Sequence, residues 1–226
     1  MISNMNNSKL LFMALIMLPL LSSCEEEDAV ESLSDKGIDV TATFPDFKGV
    51  GTRASEATQG NFAKFWMTAF VYGHNNYYMD SKEYNKNANG TWSTDGKFFW
   101  PSKDVLNFYA YNVNDLANNG QWVISHDEQK LQNFEPASSA ASQQDIMVAV
   151  KRDGYSSNGY PDKLTLDFKH ILSEISIQAK NGNSAYSVEV SGVRLGNIVS
   201  KGDFTFPSVN GTTAAWSLGT DKATYT

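Results

Sequence analysis

Phe62-Ala63-Lys64-Phe65-Trp66-Met67-Thr68-Ala69-Phe70-Val71-Tyr72 is the stretch that decides the fold. Successive side chains of a strand point to opposite faces. Here Phe65, Met67, Ala69 and Val71 stand on one parity, and Phe62, Trp66, Phe70 and Tyr72 on the other. A run that is apolar on both parities and rich in aromatics reads as a central strand covered on both sides. Asn75-Asn76 breaks it.

Outward from this run the chain reads as strand after strand. A second strand covers Tyr77 to about Tyr84. Asn89-Gly90 is the strongest hairpin signal, expected as a type I′ turn with positive φ at both central residues. Trp92 starts the return strand, Asp95-Gly96 is another turn, and Lys97-Phe98-Phe99-Trp100 follows before Pro101-Ser102. Val105 to Val113 is again apolar on both parities, Trp122-Val123-Ile124 is a short strand, and Asp145 to Val150 is a further one. Residues 135–144 read as a loop or short helix and 153–162 as a long surface loop. Toward the N-terminus, Ile38 to Phe44 alternates apolar and polar, a strand with one buried face that Pro45 ends.

Lys163 to Lys180 carries a change of parity. Leu164, Leu166, Phe168 and Leu172 share one parity; Ile171, Ile175, Ile177 and Ala179 share the other. One strand cannot keep a single buried face across that change without a bulge. The alternative, which we favour, is passage from one sheet or domain into the next near 172–174. Strands are then expected at Tyr186–Val190, Val193–Ile198 and Gly202–Phe206, and the pattern stops at Tyr225-Thr226 as if within a domain. No sustained helical period occurs after the first residues. Short strands separated by Gly, Asn, Asp and Pro turns indicate an all-β, antiparallel β-sandwich.

The first residues differ in kind. Lys9 precedes an apolar run, Leu10 to Leu21, which suits the core of a signal peptide and is too short to span a bilayer. It ends at Leu21-Ser22-Ser23-Cys24, a lipobox, with Cys24 the one cysteine of the chain. Cleavage between Ser23 and Cys24 with lipid on the Cys24 thiol is the reading on which run length, flank and cysteine position agree; the alternatives are an uncleaved anchor or a chance cysteine. Two or more acyl chains, at about 0.8 kcal/mol per buried CH₂, then hold the protein on a membrane. Glu25-Glu26-Glu27-Asp28 is a solvated tether, or equally an export signal of the kind found in some surface lipoproteins.

Composition excludes several function classes. The formal charge is −7, and losing residues 1–23 removes Lys9 and no acid. So acidic a chain lacks the basic face that nucleic acid or anionic lipid requires. With Cys24 lipidated, no disulfide, thiolate metal site or cysteine nucleophile remains. The 41% of hydrophobic residues, with 13 Phe, 10 Tyr and 5 Trp, suffice for a core built without covalent staples.

Candidate chemistry is sparse. His74 and His126 fall in expected loops, and His170 at the parity change reads as a satisfied structural residue before a base. No zinc-helix spacing, nucleophile elbow or phosphate loop occurs. Asn85 to Gly90 imitates the start of a calcium loop, but Asn85 stands at its first position and Gly96 at its twelfth where a hard cation wants carboxylates. No metal or cofactor is expected. Trp92, Trp100, Trp122 and Trp216 read as core residues in preference to a sugar-stacking platform.

Phe99-Trp100-Pro101, Leu106-Asn107-Phe108-Tyr109-Ala110-Tyr111, Asp145-Ile146-Met147-Val148-Ala149 and Leu164 to Ile175 form an ordered series. With the lipobox, it resembles the fimbrillin (Mfa-like) family, surface lipoproteins that include subunits of type V pili of Gram-negative anaerobes. Thr52-Arg53-Ala54, in a Gly-rich stretch before the first core strand, matches the family's position as well; the bland reading of Arg53 is an ordinary linker arginine. The resemblance implies two tandem transthyretin-like β-sandwich domains, here 61–165 and 166–226, the second incomplete, after an acidic tether and processing segment, 24–60. It implies lipidation at Cys24, cleavage of the Arg53–Ala54 bond by an Arg-specific protease, and loss of the strand Ile38–Phe44. The emptied groove then accepts a strand from another pilus subunit. The expected function is accordingly that of a non-enzymatic pilus stalk, anchor or tip protein of the outer-membrane surface, serving adhesion to host or bacterial ligands. The alternative is a surface glycan-binding lipoprotein using exposed Trp and Tyr residues.

Overall fold

The computed structural model describes residues 33–44, 60–116, 120–208 and 214–226. The run that opened the reading forms β3 (Lys64–Val71), and it is central: β4 (Tyr77–Lys86) pairs along one edge and β7 (Val105–Tyr111) along the other, both antiparallel. Its two parities feed two different cores. Phe65, Met67, Ala69 and Val71 enter one; Phe70, with Trp66 packed beside it, enters the second. β7 repeats this, with Leu106, Phe108 and Ala110 in the first core and Tyr109 and Tyr111 in the second. So does β10 (Met147–Gly154), with Met147 and Ala149 against Val148. Thr68 is the polar exception on β3; it is buried, and its Oγ1 accepts the Ser81 N–H at 3.1 Å, so burial leaves its oxygen satisfied.

The central sheet has six strands in the order β12-β10-β7-β3-β4-β5, where β5 is Trp92–Thr94 and β12 is Lys169–His170. Over its first face lie two short pairs: β1 (Leu33–Gly37) with β6 (Phe99–Pro101), and β2 (Val40–Thr43) with β11 (Leu164–Asp167). Over its second face lies a four-stranded sheet, β15-β14-β9-β8, made of Ala215–Leu218, Gly202–Thr205, Gln129–Phe134 and Gln121–Ile124. β13 (Leu195–Val199) and β16 (Lys222–Tyr225) form a separate antiparallel pair. Among the described residues there is no α-helix, only a 3-10 turn at Ala140–Ser142. The chain is thus an all-β sandwich of stacked sheets.

Four features differ from what the pattern suggested. At Asn89-Gly90 only Gly90 has positive φ, at 81°. Gly90 N–H donates to Asn87 O and Asn87 N–H to Thr91 O, so the connection is a three-residue loop closed by a glycine bulge, not a type I′ turn. The Asn89 side chain favours it by accepting the Thr91 N–H at 3.1 Å. Second, β2 and β11 are parallel, in register from Val40 opposite Leu164 to Thr43 opposite Asp167. Third, the crossing between sheets comes earlier than the parity change. β11 pairs with β2 up to Asp167, and at Lys169 the chain has already joined β10. Phe168 closes the first core while Ile171 and Leu172 pack on the second. Fourth, residues 172–194 form no strand, and Ile175, Ile177, Tyr186, Val188 and Val190 are each more than half exposed.

Pairing also crosses the expected 165/166 boundary. β12 extends the central sheet, and β14 pairs with β9, setting Phe204 and Phe206 beside Tyr109 and Leu131.

Three tests follow from the two cores. Phe65 is fully buried and stacks on Tyr84 at 5.1 Å, with Trp92 at 4.9 Å and Phe168 at 5.4 Å. Phe65→Ala lowers unfolding free energy by about 3–5 kcal/mol in urea titrations. A Cβ on Gly154 would lie 2.6 Å from Asp104 O and 2.8 Å from Val105 Cα, so Gly154→Ala costs about 1–3 kcal/mol in the same assay. Burial raises the hydroxyl of Tyr84 above the ordinary tyrosine value, with nearby Tyr78 adding to it, and burial likewise raises Tyr109. The fold therefore favours the neutral phenol: stability is intact below the unfolded value of about pH 10 and falls as pH climbs past it. Urea midpoints drop over that alkaline range, and drop less in Tyr84→Phe.

Candidate assembly surface

β2 is the sequence-expected strand within Ile38–Phe44, and its geometry is unusual. Val40, with Ile38, Ala42 and Phe44 of the same parity, packs into the first core. Phe44 lies 4.4 Å from Phe62 and stacks on Phe168 at 5.7 Å, ring centroid to centroid. Backbone bonds tie the strand to β11: Leu164 N–H donates to Asp39 O at 2.7 Å, and Phe168 N–H to Thr43 O at 2.9 Å; just ahead of β2, Ile38 N–H donates to Phe98 O at 2.9 Å, beside β6. Thr43 Oγ1 also donates to Asp167. The other edge of β2 borders a hollow of about 460 Å³ shared with Trp92, Lys86 and Lys163. The strand therefore fills an apolar groove while having one hydrogen-bonded neighbour. Without it, Leu164, Leu166 and Phe168, now fully buried, lose their cover, and β11 loses its partner groups.

β1 precedes β2 and also leans on a single neighbour, β6, through Leu33 opposite Pro101 and Gly37 opposite Phe99. Its register shifts between those positions, and Leu33 is 53% exposed, so β1 adds little apolar burial. Lys36 makes an ion pair with Asp162 at 3.0 Å, but Asp162 is fully exposed, so the pair is screened by water.

The expected processing residues Ser23, Cys24, Arg53 and Ala54 lie outside the described residues. Arg53 falls in sequence between Phe44, next to β2, and Gly60, four residues before β3. A cut there separates β1 and β2 from the rest of the chain.

The histidines are where the pattern put them. His74 is in the loop after β3 and His126 in the turn between β8 and β9. His170 is partly buried with its Nδ1 2.9 Å from Asp145 Oδ1, a carboxylate 25 residues away that no local pattern pairs with it. The backbone of that aspartate is clamped as well: Asn112 Nδ2 donates to Asp145 O, and Met147 N–H donates to Asn112 Oδ1. The pair thus fastens β12 to the start of β10, at the joint where the chain passes from one core to the other. Among the described residues no group of three or more His, Cys, Asp or Glu side chains could hold a metal ion.

The tryptophans are structural. Trp100 is fully buried; Trp122 stacks on Tyr111 at 4.3 Å and donates its Nε1–H to Val113 O at 2.6 Å. Trp216 donates to Ile171 O at 2.8 Å, and Trp92 packs on Phe62 and Phe65.

Comparison with curated proteins and with solved structures returns no match. The sequence model described as fimbrillin-like matches residues 30–226, which takes in every described strand. The chain therefore belongs to the fimbrillin-like family, and with it to the pilus-subunit-like proteins of the cell surface.

Proposed function

We propose that this protein is exported as an outer-membrane lipoprotein acylated on Cys24, cut at Arg53–Ala54, and assembled with other pilus subunits by strand exchange at the groove that β2 occupies. Its role is that of a stalk, anchor or tip subunit in adhesion. The observation that carries the reading is β2 itself. It is a short parallel edge strand with one paired neighbour, yet its Ile38, Val40, Ala42 and Phe44 cover the open side of the first core. Fully burying a side chain the size of Val, Ile or Phe contributes about 1.5–3 kcal/mol; Val40 is buried, and Ile38, Phe44 and the smaller Ala42, partly buried, contribute less. A strand from another subunit recovers the same free energy by placing apolar residues at the same alternate positions and hydrogen-bonding β11. The reading assigns no reaction to the chain and requires no cofactor.

Digesting the Cys24→Ser protein, made without residues 1–23, with an Arg-specific protease tests this. Cleavage at Arg53 under native conditions, followed by multimers on sizing columns, is expected. Arg53→Ala abolishes both, and a synthetic peptide of residues 36–46 suppresses the multimers. Cut protein that stays monomeric, or cutting only at Arg152 and Arg194 after unfolding, would overturn it. In cells, Cys24→Ser removes incorporation of labelled palmitate.

A further inference from the structure

The five residues Tyr72-Gly73-His74-Asn75-Asn76 join β3 to Tyr77, the first residue of β4, and all six are exposed. They are not a slack connection. His74 N–H donates to Val71 O at 3.1 Å across a tight turn, and Gly73 supplies the positive φ of 84° that the turn needs. Tyr72 N–H is held by Val105 O at 2.8 Å. The loop begins and ends in a tyrosine, and each is about half exposed, Tyr72 at 50% and Tyr77 at 48%.

Each ring is also fixed from beneath. The Arg152 guanidinium lies 3.4 Å from the centroid of the Tyr72 ring. Tyr77 packs on Phe70 at 4.9 Å, and its hydroxyl donates to Ile124 O at 2.9 Å. Phe70 in turn meets His126 edge-on at 6.3 Å. Two rings, each packed on a neighbour and about half exposed, thus stand in sequence on either side of three exposed polar residues, His74, Asn75 and Asn76. Rings already ordered lose little entropy on meeting a ligand.

We propose that this loop is a carbohydrate-binding site, taking one or two pyranose units of a surface glycan. The chemistry selects that class. The C–H faces of a sugar ring pack on an aromatic face, while its hydroxyls need both donors and acceptors close by, which the two amides and the imidazole supply. The loop has no aliphatic side chain, and six residues fall far short of the roughly 800 Å² per side of a stable protein interface. Trp100 is fully buried and Trp122 lies against Tyr111, so neither is open as Tyr72 and Tyr77 are; Tyr155 and Tyr186 are exposed too but lie outside this loop. The site is independent of strand exchange, since β2 contributes nothing to it.

The test begins with the Cys24→Ser protein, lacking residues 1–23, on an array of immobilised neutral and acidic oligosaccharides. Calorimetry follows with the free form of the best-bound oligosaccharide. Saturable binding is expected, weakened at least about tenfold by Tyr72→Ala and by Tyr77→Ala, and several-fold by Asn75→Ala or Asn76→Ala. Tyr72→Phe keeps the ring and most of the affinity. Arg152→Lys keeps the charge, loses the planar support and weakens binding. Unchanged thermal midpoints in the Tyr72→Phe and Asn variants separate binding from folding. A flat array, or affinity that survives both Tyr→Ala replacements, overturns the proposal; so does a protein partner that needs the loop when no glycan binds.

Discussion

Burial of the central sheet on both faces is the constraint from which the rest of the structure follows. A sheet wet on one side needs apolar residues at every second position; one covered on both sides needs them almost everywhere. β3, β7 and β10 meet that demand, with odd and even residues going to separate cores. Two cores require two covers. The second is covered by a four-stranded sheet assembled from sequence as distant as Trp122 and Trp216. The first is covered by short pairs of strands drawn from residues near 40, 100 and 164. The molecule is therefore held by side-chain packing between layers more than by long ladders at its periphery.

That asymmetry gives β2 its importance. Its side chains belong to the interior, while its backbone belongs to an edge with one neighbour. A strand inside a continuous sheet is locked by ladders on both sides; β2 is retained mainly by the apolar fit of Phe44 against Phe62 and Phe168 and of Val40 in the groove. Apolar fit is non-directional and can be reproduced by another strand of matching alternation. The same construction covers the first core while leaving the β2 backbone paired on one side, which is what the proposed strand exchange at this groove requires. The aromatic loop at Tyr72–Tyr77 makes no use of that groove: its rings rest on Arg152 and Phe70 over the other face of the central sheet.

Much of the fold was legible because local pattern and tertiary demand coincided. Phe62–Tyr72 reads as a central strand and Val105–Val113 as a strand apolar on both faces, and the strands they hold, β3 and β7, lie side by side within the central sheet. The parity change after Phe168 reported a real passage from one core to the other, displaced by a few residues because Lys169 and His170 already pair with β10. What was hidden depended on partners remote in sequence. Nothing in Ile38–Phe44 says that its neighbour is Leu164–Asp167 or that the two run parallel, and nothing near His170 names Asp145. Asn89-Gly90 announced a turn correctly and its type incorrectly, because the Asn89 side chain caps Thr91 and leaves only Gly90 at positive φ. The tyrosine loop carries no motif; its rings gain meaning only once Arg152 and Phe70 are seen behind them.

The sharpest lesson lies in two segments with the same alternation and opposite fates. Ile38–Phe44 and Tyr186–Val190 both place apolar residues at every second position. The first is a strand with its apolar side buried; the second is in no strand and is exposed at Tyr186, Val188 and Val190. β-propensity cannot separate them, since both are rich in β-branched and aromatic residues. The difference is the neighbour. β2 meets an apolar groove and a β11 backbone that pairs with it, whereas among the described residues nothing lies along 184–191 to take up either the side chains or the ladder. Asn181 and Asn183 still hold their turn, with Asn181 Nδ2 donating to Tyr186 O at 2.7 Å. Turn chemistry is thus satisfied locally where strand formation is not. A strand in this family member is a relation between two stretches, and a period-2 pattern specifies only one side of it.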